Sequence, residues 1–368
     1  MKILFDNKIF INQIHGGPSV YFVNLMKNLI KKDCDLKISS TFHLNYLLDE
    51  NKKDLKLKGY KFPYNNYLVG YNFIKKFLHK VNFLIHKKDI KKYKPDIIHT
   101  TYYEDYEYEE NNNAKKILTI FDLIAEKFPL QYKLKKNELP KKKIIEQSDK
   151  IICISHNTKK DLIDIYNVNP NKIAVTHLGY PKKRFDLERI INSPYILFVG
   201  TRWKYKNFEN LLSAICLSNK IINSFKLVIF GGGKFSNHEL ALFKKYQFKK
   251  EDIIHIEGSD YNLYSCFNFA SAFVYPSLYE GFGLPILESF LYECPVICSN
   301  TSSLPEVAGD GAEYFDPCLP ESILTALEKV LFSKDVSNSL IKNGQMRLKK
   351  FSWDNCSDQT LKIYSELI

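Results

Sequence analysis

An apolar run, Ala272–Phe273–Val274–Tyr275, is halted by Pro276 and Ser277 and followed by the loop Glu280–Gly281–Phe282–Gly283–Leu284. Pro285 then opens a helix through Ile286, Leu287 and Glu288 to about Glu293, and Pro295–Val296–Ile297–Cys298 forms the next short strand. A strand with apolar residues on both faces has to be covered on both sides, as in parallel sheets flanked by helices. Proline suits the first helical position because its missing N–H would have had no intrahelical partner there. Strand, glycine loop, helix and strand make a unit of a doubly wound α/β fold.

That unit sets a glycine loop at the positive end of a helix, where free N–H groups and the dipole bind anions, phosphate above all. Gly281 and Gly283 allow close backbone approach, and Glu280 and Glu288 flank the loop. Carboxylates do not hold phosphate, but they accept hydrogen bonds from sugar hydroxyls. Phosphate at the helix end with hydroxyls on either side describes a nucleotide sugar. The bland alternative is a surface loop with two solvated glutamates.

The pattern recurs along the chain. Lys2–Phe5 is a first strand closed by Asp6, followed by His15–Gly16–Gly17–Pro18–Ser19 and an apolar-periodic helix from Val20 to Leu29. The turn lacks the full GxGxxG spacing, so a dinucleotide fingerprint is not supported. Further strands are expected at Pro95–His99, Leu118–Asp122, Ile151–Ser155 and Ile173–Val175, with a helix capped by Asn157-Thr158. Glu104 to Glu110 reads as an acidic lip, and His177–Pro181 as a linker between domains. The second half restarts with strands at Tyr195–Val199, Phe225–Phe230 and Ile253–Ile256, a Gly200–Thr201 turn and a helix from Phe208 to Leu217. Gly231–Lys234 (GGGK) lacks the P-loop spacing and reads as a tight exit turn near the ligand edge. Domains are expected at 1–178 and 182–350, with Trp353 anchoring the crossing to a last helix, Ser357 to Leu367.

Glu280 and Glu288, with seven residues between them inside PSLYEGFGLP, resemble the E-x7-E motif of retaining glycosyltransferases of family 4. FVGTRWKYKNFENLL, SLPEVAGDGAEYFDP, DIIHTTYY and SHNTKKDL resemble further segments of that family. The resemblance implies a GT-B fold, two facing Rossmann-like doubly wound domains with a cleft between them. It implies that Lys206 neutralises the donor diphosphate and that nearby Arg202 shares the task. Glu280 would hold sugar hydroxyls and Glu288 the ribose, with Gly281, Phe282, Gly283 and Leu284 lining the donor loop. Gly16, Gly17 and Gly200 match glycine turns near the phosphates, and Glu306 would order the loop. Phe121 and Thr101 stand where many members carry histidines, which leaves His99 and Asp122 as first-half candidates for the sugar contact. The resemblance implies hexose transfer with retained configuration and no metal; Asp33–Cys34–Asp35 is formally a DxD but follows a helix far from the loop. By the likeness of GGPSVYF, GDP-mannose is the first donor expected, with a UDP-hexose as the alternative. A non-hydrolysing nucleotide-sugar epimerase on the same fold and a non-catalytic membrane or nucleic-acid binder are the rival classes.

Charge bears on the acceptor. Residues 1–180 hold 32 Lys+Arg against 20 Asp+Glu, and residues 181–368 hold 21 of each, so the whole excess of +12 lies in the first half. Every arginine lies at or after Arg184, and a lysine-only basic half argues against base-specific nucleic-acid reading. Within residues 73–94, Phe73, Ile74, Phe77, Leu78, Val81, Leu84 and Ile85 share one helical face, expected to pack on the sheet, with lysines on the other. Those lysines suit an anionic membrane leaflet, and the acceptor is expected to be a lipid-linked or cell-surface glycan. No run of 18 apolar residues occurs, the start MKILFDNKIFI lacks a signal peptide's apolar core, and the eight cysteines show no CxxC pair. A cytoplasmic protein with reduced thiols, working at the inner face of the membrane, is the expectation.

Overall fold

In the computed structural model the residues described are 1–368 except 64–70, 104–112, 136–137, 181–184 and 203. The acidic lip expected at Glu104–Glu110 and Pro181 of the expected linker therefore lie outside the described residues. The chain divides into two compact units. Unit one comprises Met1–Glu126, Lys135–Gly179 and Ser352–Ile368; unit two comprises Lys127–Leu134 and Tyr180–Phe351. The segment Lys127–Leu134, expected in the first domain, thus belongs to unit two, where the Phe128 ring lies 5.9 Å from that of Tyr205.

Unit one carries β1 (Lys2–Phe5), β2 (Asp35–Ile38), the small parallel pair β3 (Phe42–His43) and β4 (Tyr60–Lys61), then β5 (Ile97–Thr100), β6 (Lys115–Ile120), β7 (Lys150–Cys153) and β8 (Ile173–Val175). The main sheet is parallel in the order β2-β1-β5-β6-β7-β8. Unit two carries β9 (Tyr195–Val199), β10 (Lys226–Phe230), β11 (Ile253–Ile256), β12 (Ala272–Tyr275), β13 (Val296–Ser299) and β14 (Ala312–Phe315). Its sheet is parallel in the order β11-β10-β9-β12-β13-β14. The order reverses between β1 and β5 in one sheet and between β9 and β12 in the other. Ligands of open α/β sheets bind outside the carboxyl ends of the strands at such a reversal.

Central strands are buried throughout: β5, β12 and β13 expose none of their residues. Beneath the second sheet, Phe198, Phe208, Leu211, Leu212, Ile229, Val274 and Leu327 pack into one apolar core. Two edge strands, β2 and β14, were not expected from the sequence. Each is only partly covered and mixes charged with apolar residues, so neither shows the continuous apolar run of a central strand.

The helix capped at Asn157-Thr158 in the sequence reading instead runs His156–Tyr166, with Ser155 accepting from the Thr158 N–H at 3.0 Å. Trp353 opens the C-terminal helix Trp353–Ser365 of unit one. A Cβ on Gly179 would lie 2.2 Å from the Trp353 nitrogen, so the two chain crossings run side by side there.

The helix Tyr71–Tyr93 corrects a second expectation. Leu78, Asn82 and His86 face inward and are buried, whereas Phe73, Phe77 and Leu84 are 76%, 57% and 59% exposed. Asn82 reaches the Phe42 backbone with both ends of its amide, at 2.7 and 3.2 Å, so a polar residue occupies part of the inward stripe. The outward face interleaves Phe73, Phe77 and Leu84 with exposed Lys76, Lys80, Lys88 and Lys91.

Candidate functional site

The reversal point of the second sheet brings together the loops leaving β9 and β12. Gly200, at φ +113°, turns the chain out of β9, and a 3-10 turn, Lys204–Lys206, follows. The Leu278 N–H in the loop after β12 donates to the Tyr205 carbonyl at 2.7 Å, which ties the loops together. Across this tie the Lys206 Nζ lies 2.6 Å from Glu280 Oε1 and 3.4 Å from the Tyr275 hydroxyl. Its ammonium also sits over the rings of Tyr205 and Tyr275, at 5.4 and 5.2 Å. Burial, and then the charge of Glu280, push the Tyr275 phenol far above its ordinary range, so it stays neutral. The charge of Glu288 pushes the same phenol up further, as the smallest of these influences.

The glutamate loop is held by three consecutive hydroxyl residues that sequence reasoning did not single out. Thr301 Oγ1 donates to the Leu278 carbonyl at 3.1 Å, and Ser302 Oγ accepts from the Glu280 N–H at 3.0 Å. Ser303 Oγ lies 2.9 Å from both the Glu280 and Phe282 carbonyls. The only sequence signal for this was the run Asn300-Thr301-Ser302-Ser303 at a strand end. The backbone carbonyl of Glu306 accepts from Arg347.

Gly281 and Phe282 are buried, and the Phe282 ring lies edge-on to Phe351 at 5.8 Å. Gly283 caps the helix Leu284–Leu291 at φ +111°, where a side chain would strain the backbone and meet Leu304 at 3.0 Å. Leu284 and Pro285 open the first turn; Pro285 carries no N–H, and the Ile286 N–H donates to the Gly283 carbonyl at 3.0 Å.

Glu288, half-buried on that helix, has its carboxyl pushed up from 4.5 to about 7 by burial and then by the charge of Asp260. The folded protein therefore binds this proton more tightly than the unfolded chain does. The associated stability is present below pH 4.5 and is lost as pH rises through about 7. Glu288→Gln is expected to be nearly neutral to stability at pH 5 and stabilising by roughly 2 kcal/mol at pH 8.5. Urea denaturation at the two pH values checks this; a constant difference would contradict it.

Arg202 stands apart from the group. Its Nε donates to Glu239, and its terminal nitrogens donate to the carbonyls of Gly231, Gly232, Gly233 and Lys234 at 2.9, 3.2, 2.8 and 3.2 Å. Its guanidinium is engaged by the protein itself, which corrects the expectation of a second phosphate cation.

In unit one, His99 is sealed in the core. Its Nδ1 bonds the Tyr364 hydroxyl, its Nε2 lies 2.8 Å from Thr119 Oγ1, and Phe5 and Phe22 pack on the ring. Burial depresses its pKa to about 3, so it stays neutral, and in this structure it meets no ligand surface. This corrects its candidacy for a sugar contact. Phe121 fills the same aromatic core against Tyr21 and Phe22. Thr101 donates to the buried Asp6 carboxylate and accepts from the Ile9 N–H at 3.1 Å, which pins the loops after β1 and β5 at that sheet's reversal point. Asp122 is half-buried and accepts from the Ile124 N–H at 3.0 Å. Gly16 and Gly17 open the helix Gly17–Lys31, and a Cβ on Gly16 would meet the Gln13 side chain at 2.7 Å.

Two family models match the chain: Glycosyltransferase Family 4 over residues 15–184 and Glycosyl transferases group 1 over residues 180–347. O-antigen chain mannosyltransferase B of Escherichia coli is 29% identical over 236 residues, covering 61% of this chain and 62% of that protein. MMP alpha-(1->4)-mannosyltransferase of Mycolicibacterium hassiacum is 26% identical, covering 62% and 56%. The chain thus spans about three fifths of the length of these curated relatives. Among solved structures, sucrose-phosphate synthase from Thermosynechococcus elongatus matches with TM-score 0.78 at 18% identity, over 100% of this chain and 99% of that one. Anabaena HepE in complex with UDP-glucose matches with TM-score 0.72 at 11% identity, over 100% of both. These likenesses establish the GT-B fold, two Rossmann-like α/β domains. With one model matched to each half, the chain belongs to the group 1, family 4 glycosyltransferases.

Proposed function

We propose that this protein transfers mannose from GDP-mannose to a hydroxyl of a lipid-linked or cell-surface glycan, with retained anomeric configuration and no need of a metal ion. The observation that carries the reading is the Lys206–Glu280 pair at the reversal point of the second sheet, beside the start of the Leu284–Leu291 helix. As the bond from the sugar C1 to the diphosphate breaks, negative charge grows on the leaving oxygen. Lys206 and the positive end of the Leu284–Leu291 helix dipole stabilise it. The acceptor oxygen bonds to C1 on the same face, and its proton passes to the departing phosphate. Glu280 accepts from sugar hydroxyls and Glu288 from the ribose. The relatives named as mannosyltransferases favour mannose.

The test is release of free nucleotide from a panel of nucleotide sugars with a lipid-linked glycan as acceptor. GDP release from GDP-mannose alone is expected. Turnover of a UDP-hexose instead would move the donor assignment, and a folded protein that turns over none would defeat the reading.

The acceptor side has its own support. The exposed Phe73, Phe77 and Leu84 stand among lysines on the outward face of the Tyr71–Tyr93 helix, in the half that holds the whole charge excess. Among the described residues no helix is long and apolar enough to cross a membrane. We assign this face to an anionic leaflet: lysines attract the surface and the apolar side chains enter it. Replacing Lys80, Lys88 and Lys91 by serine is expected to weaken binding to phosphatidylglycerol vesicles by about 10²-fold, at roughly 1 kcal/mol per lysine. Unchanged flotation would refute the assignment.

A further inference from the structure

We infer that a lysine-lined pocket built from residues 49–61 of unit one binds a terminal phosphate, that of a phosphomonoester or a diphosphate. Such binding needs neither the donor nor mannose transfer. The pocket has a volume of about 830 Å³ and is lined by Lys52, Lys53, Lys56, Lys58 and Lys61, with Asp49 as its one carboxylate. These six side chains carry a net charge of +4.

The backbone gathers the lysines. After the helix Tyr46–Glu50 the chain curls back on itself: the Lys56 N–H donates to the Lys53 carbonyl at 3.1 Å, and the Leu57 N–H to the Lys52 carbonyl at 2.9 Å. Lys56 closes the curl in the left-handed conformation, φ +50°, at a cost to any residue with a Cβ. Leu55, only 3% exposed, anchors the curl to the core. Gly59 then lets the chain run against Ser40, since a Cβ there would lie 2.4 Å from the Ser40 carbonyl. The Tyr60 N–H donates to the Thr41 carbonyl at 2.8 Å, and β4 brings Lys61 back beside the lysines of the curl.

Little in the protein neutralises this charge. Asp49 lies 3.4 Å from Lys52 and 3.9 Å from Lys61. Asp54, on the curl itself, is paired with Lys27 at 2.9 Å. Among the described residues no carboxylate pairs with Lys53, Lys56 or Lys58. Like charges lining one concavity repel, and a multiply charged anion offsets that repulsion. An ammonium is a compact, strongly hydrated point charge, so lysines select an anion by its charge. A terminal phosphate offers about −1.5 to −2 charges and three acceptor oxygens, more than the single charge of a phosphodiester. β3 and β4 rest on the helix Tyr71–Tyr93: Phe42 and Phe62 pack with its Ile74 and Leu78, and Asn82 bonds the Phe42 backbone. The pocket therefore adjoins the helix assigned above to an anionic leaflet, and its phosphate comes from a lipid headgroup or from solution.

The test compares the wild-type protein with the triple variant Lys53→Ser, Lys56→Ser, Lys58→Ser. These lysines are exposed and have no carboxylate partner among the described residues, so the variant keeps its fold. One arm measures binding to vesicles of phosphatidic acid, a phosphomonoester, and of phosphatidylglycerol, a phosphodiester, matched in surface potential. The quantity read is the ratio of the two affinities, because any lost lysine weakens attraction to both surfaces. Wild type is expected to prefer phosphatidic acid by about tenfold and the triple variant to lose that preference. Replacing Lys80, Lys88 and Lys91 on the neighbouring helix should weaken both bindings and leave the ratio in place. The other arm is calorimetric titration with inorganic pyrophosphate, in which the triple variant is expected to bind one fewer anion per chain than wild type. Loss of the lipid preference assigns the phosphate to a headgroup. One fewer pyrophosphate with no lipid preference in either protein assigns it to a soluble anion. An unchanged pyrophosphate count, together with a lipid preference that is absent or unaltered, overturns the inference and leaves the lysines as a solvated face. Nucleotide release is scored separately: a protein that turns over no nucleotide sugar loses the function proposed above, while the difference between wild type and triple variant still decides the pocket.

Discussion

Lys206→Ala is expected to lower mannosyl transfer by about 10³-fold, the loss typical of removing a group that faces charge growing in the transition state. Stability should fall as well, by roughly 3 kcal/mol, because the substitution strands a buried Glu280 without its counter-charge. The two effects have different origins and can be separated. In the double variant Lys206→Met with Glu280→Gln, neither partner is charged, so most of the lost stability should return while transfer stays low. Initial rates of GDP release and urea denaturation of the three proteins provide both readings. A single variant that transfers at the wild-type rate would remove Lys206 from the reaction. A double variant as unstable as the single one would show that the stranded carboxylate is not the source of the instability.

Much of this arrangement was legible because parallel sheets announce themselves. β1, β5, β9 and β12 are short apolar runs bounded by polar or glycine turns, and each stands within two residues of its expected place. The convergence of Lys206 and Glu280 follows from two such runs being neighbours in the sheet, which spacing alone does not reveal but the family resemblance implied. What escaped the sequence reading lies where burial and polarity part company. β2 and β14 sit at sheet edges and carry the mixed composition of half-covered strands. The Tyr71–Tyr93 helix buries Asn82 and His86 and exposes Phe73 and Phe77, the opposite of what periodicity favours. His99 looked like a ligand because it ends a strand, yet the partners that seal it, Thr119 and Tyr364, lie 20 and 265 residues away in the chain. Arg202 looked like a phosphate cation for the same reason. Its five acceptors come from a turn and a helix some thirty residues on, and no local pattern announces them.

Glu280→Gln is expected to drive binding and turnover in opposite directions. Without a donor, Glu280 holds Lys206 at 2.6 Å, so a diphosphate must compete with a carboxylate for the same ammonium. The glutamine amide keeps the shape and removes the competing charge. Free GDP should then bind about three- to tenfold more tightly, a gain of roughly 1 kcal/mol. Transfer should fall by about 10²-fold, because the sugar hydroxyl loses a charged acceptor, a hydrogen bond of about 1.5–3 kcal/mol. Calorimetric titration with GDP and the rate of transfer from GDP-mannose test the two halves separately. Weaker GDP binding alongside slower transfer would mean that the carboxylate assists the phosphate site. Its partnership with Lys206 would then persist in the donor complex, and the exchange of partners that links binding to bond cleavage in this mechanism would have to be abandoned.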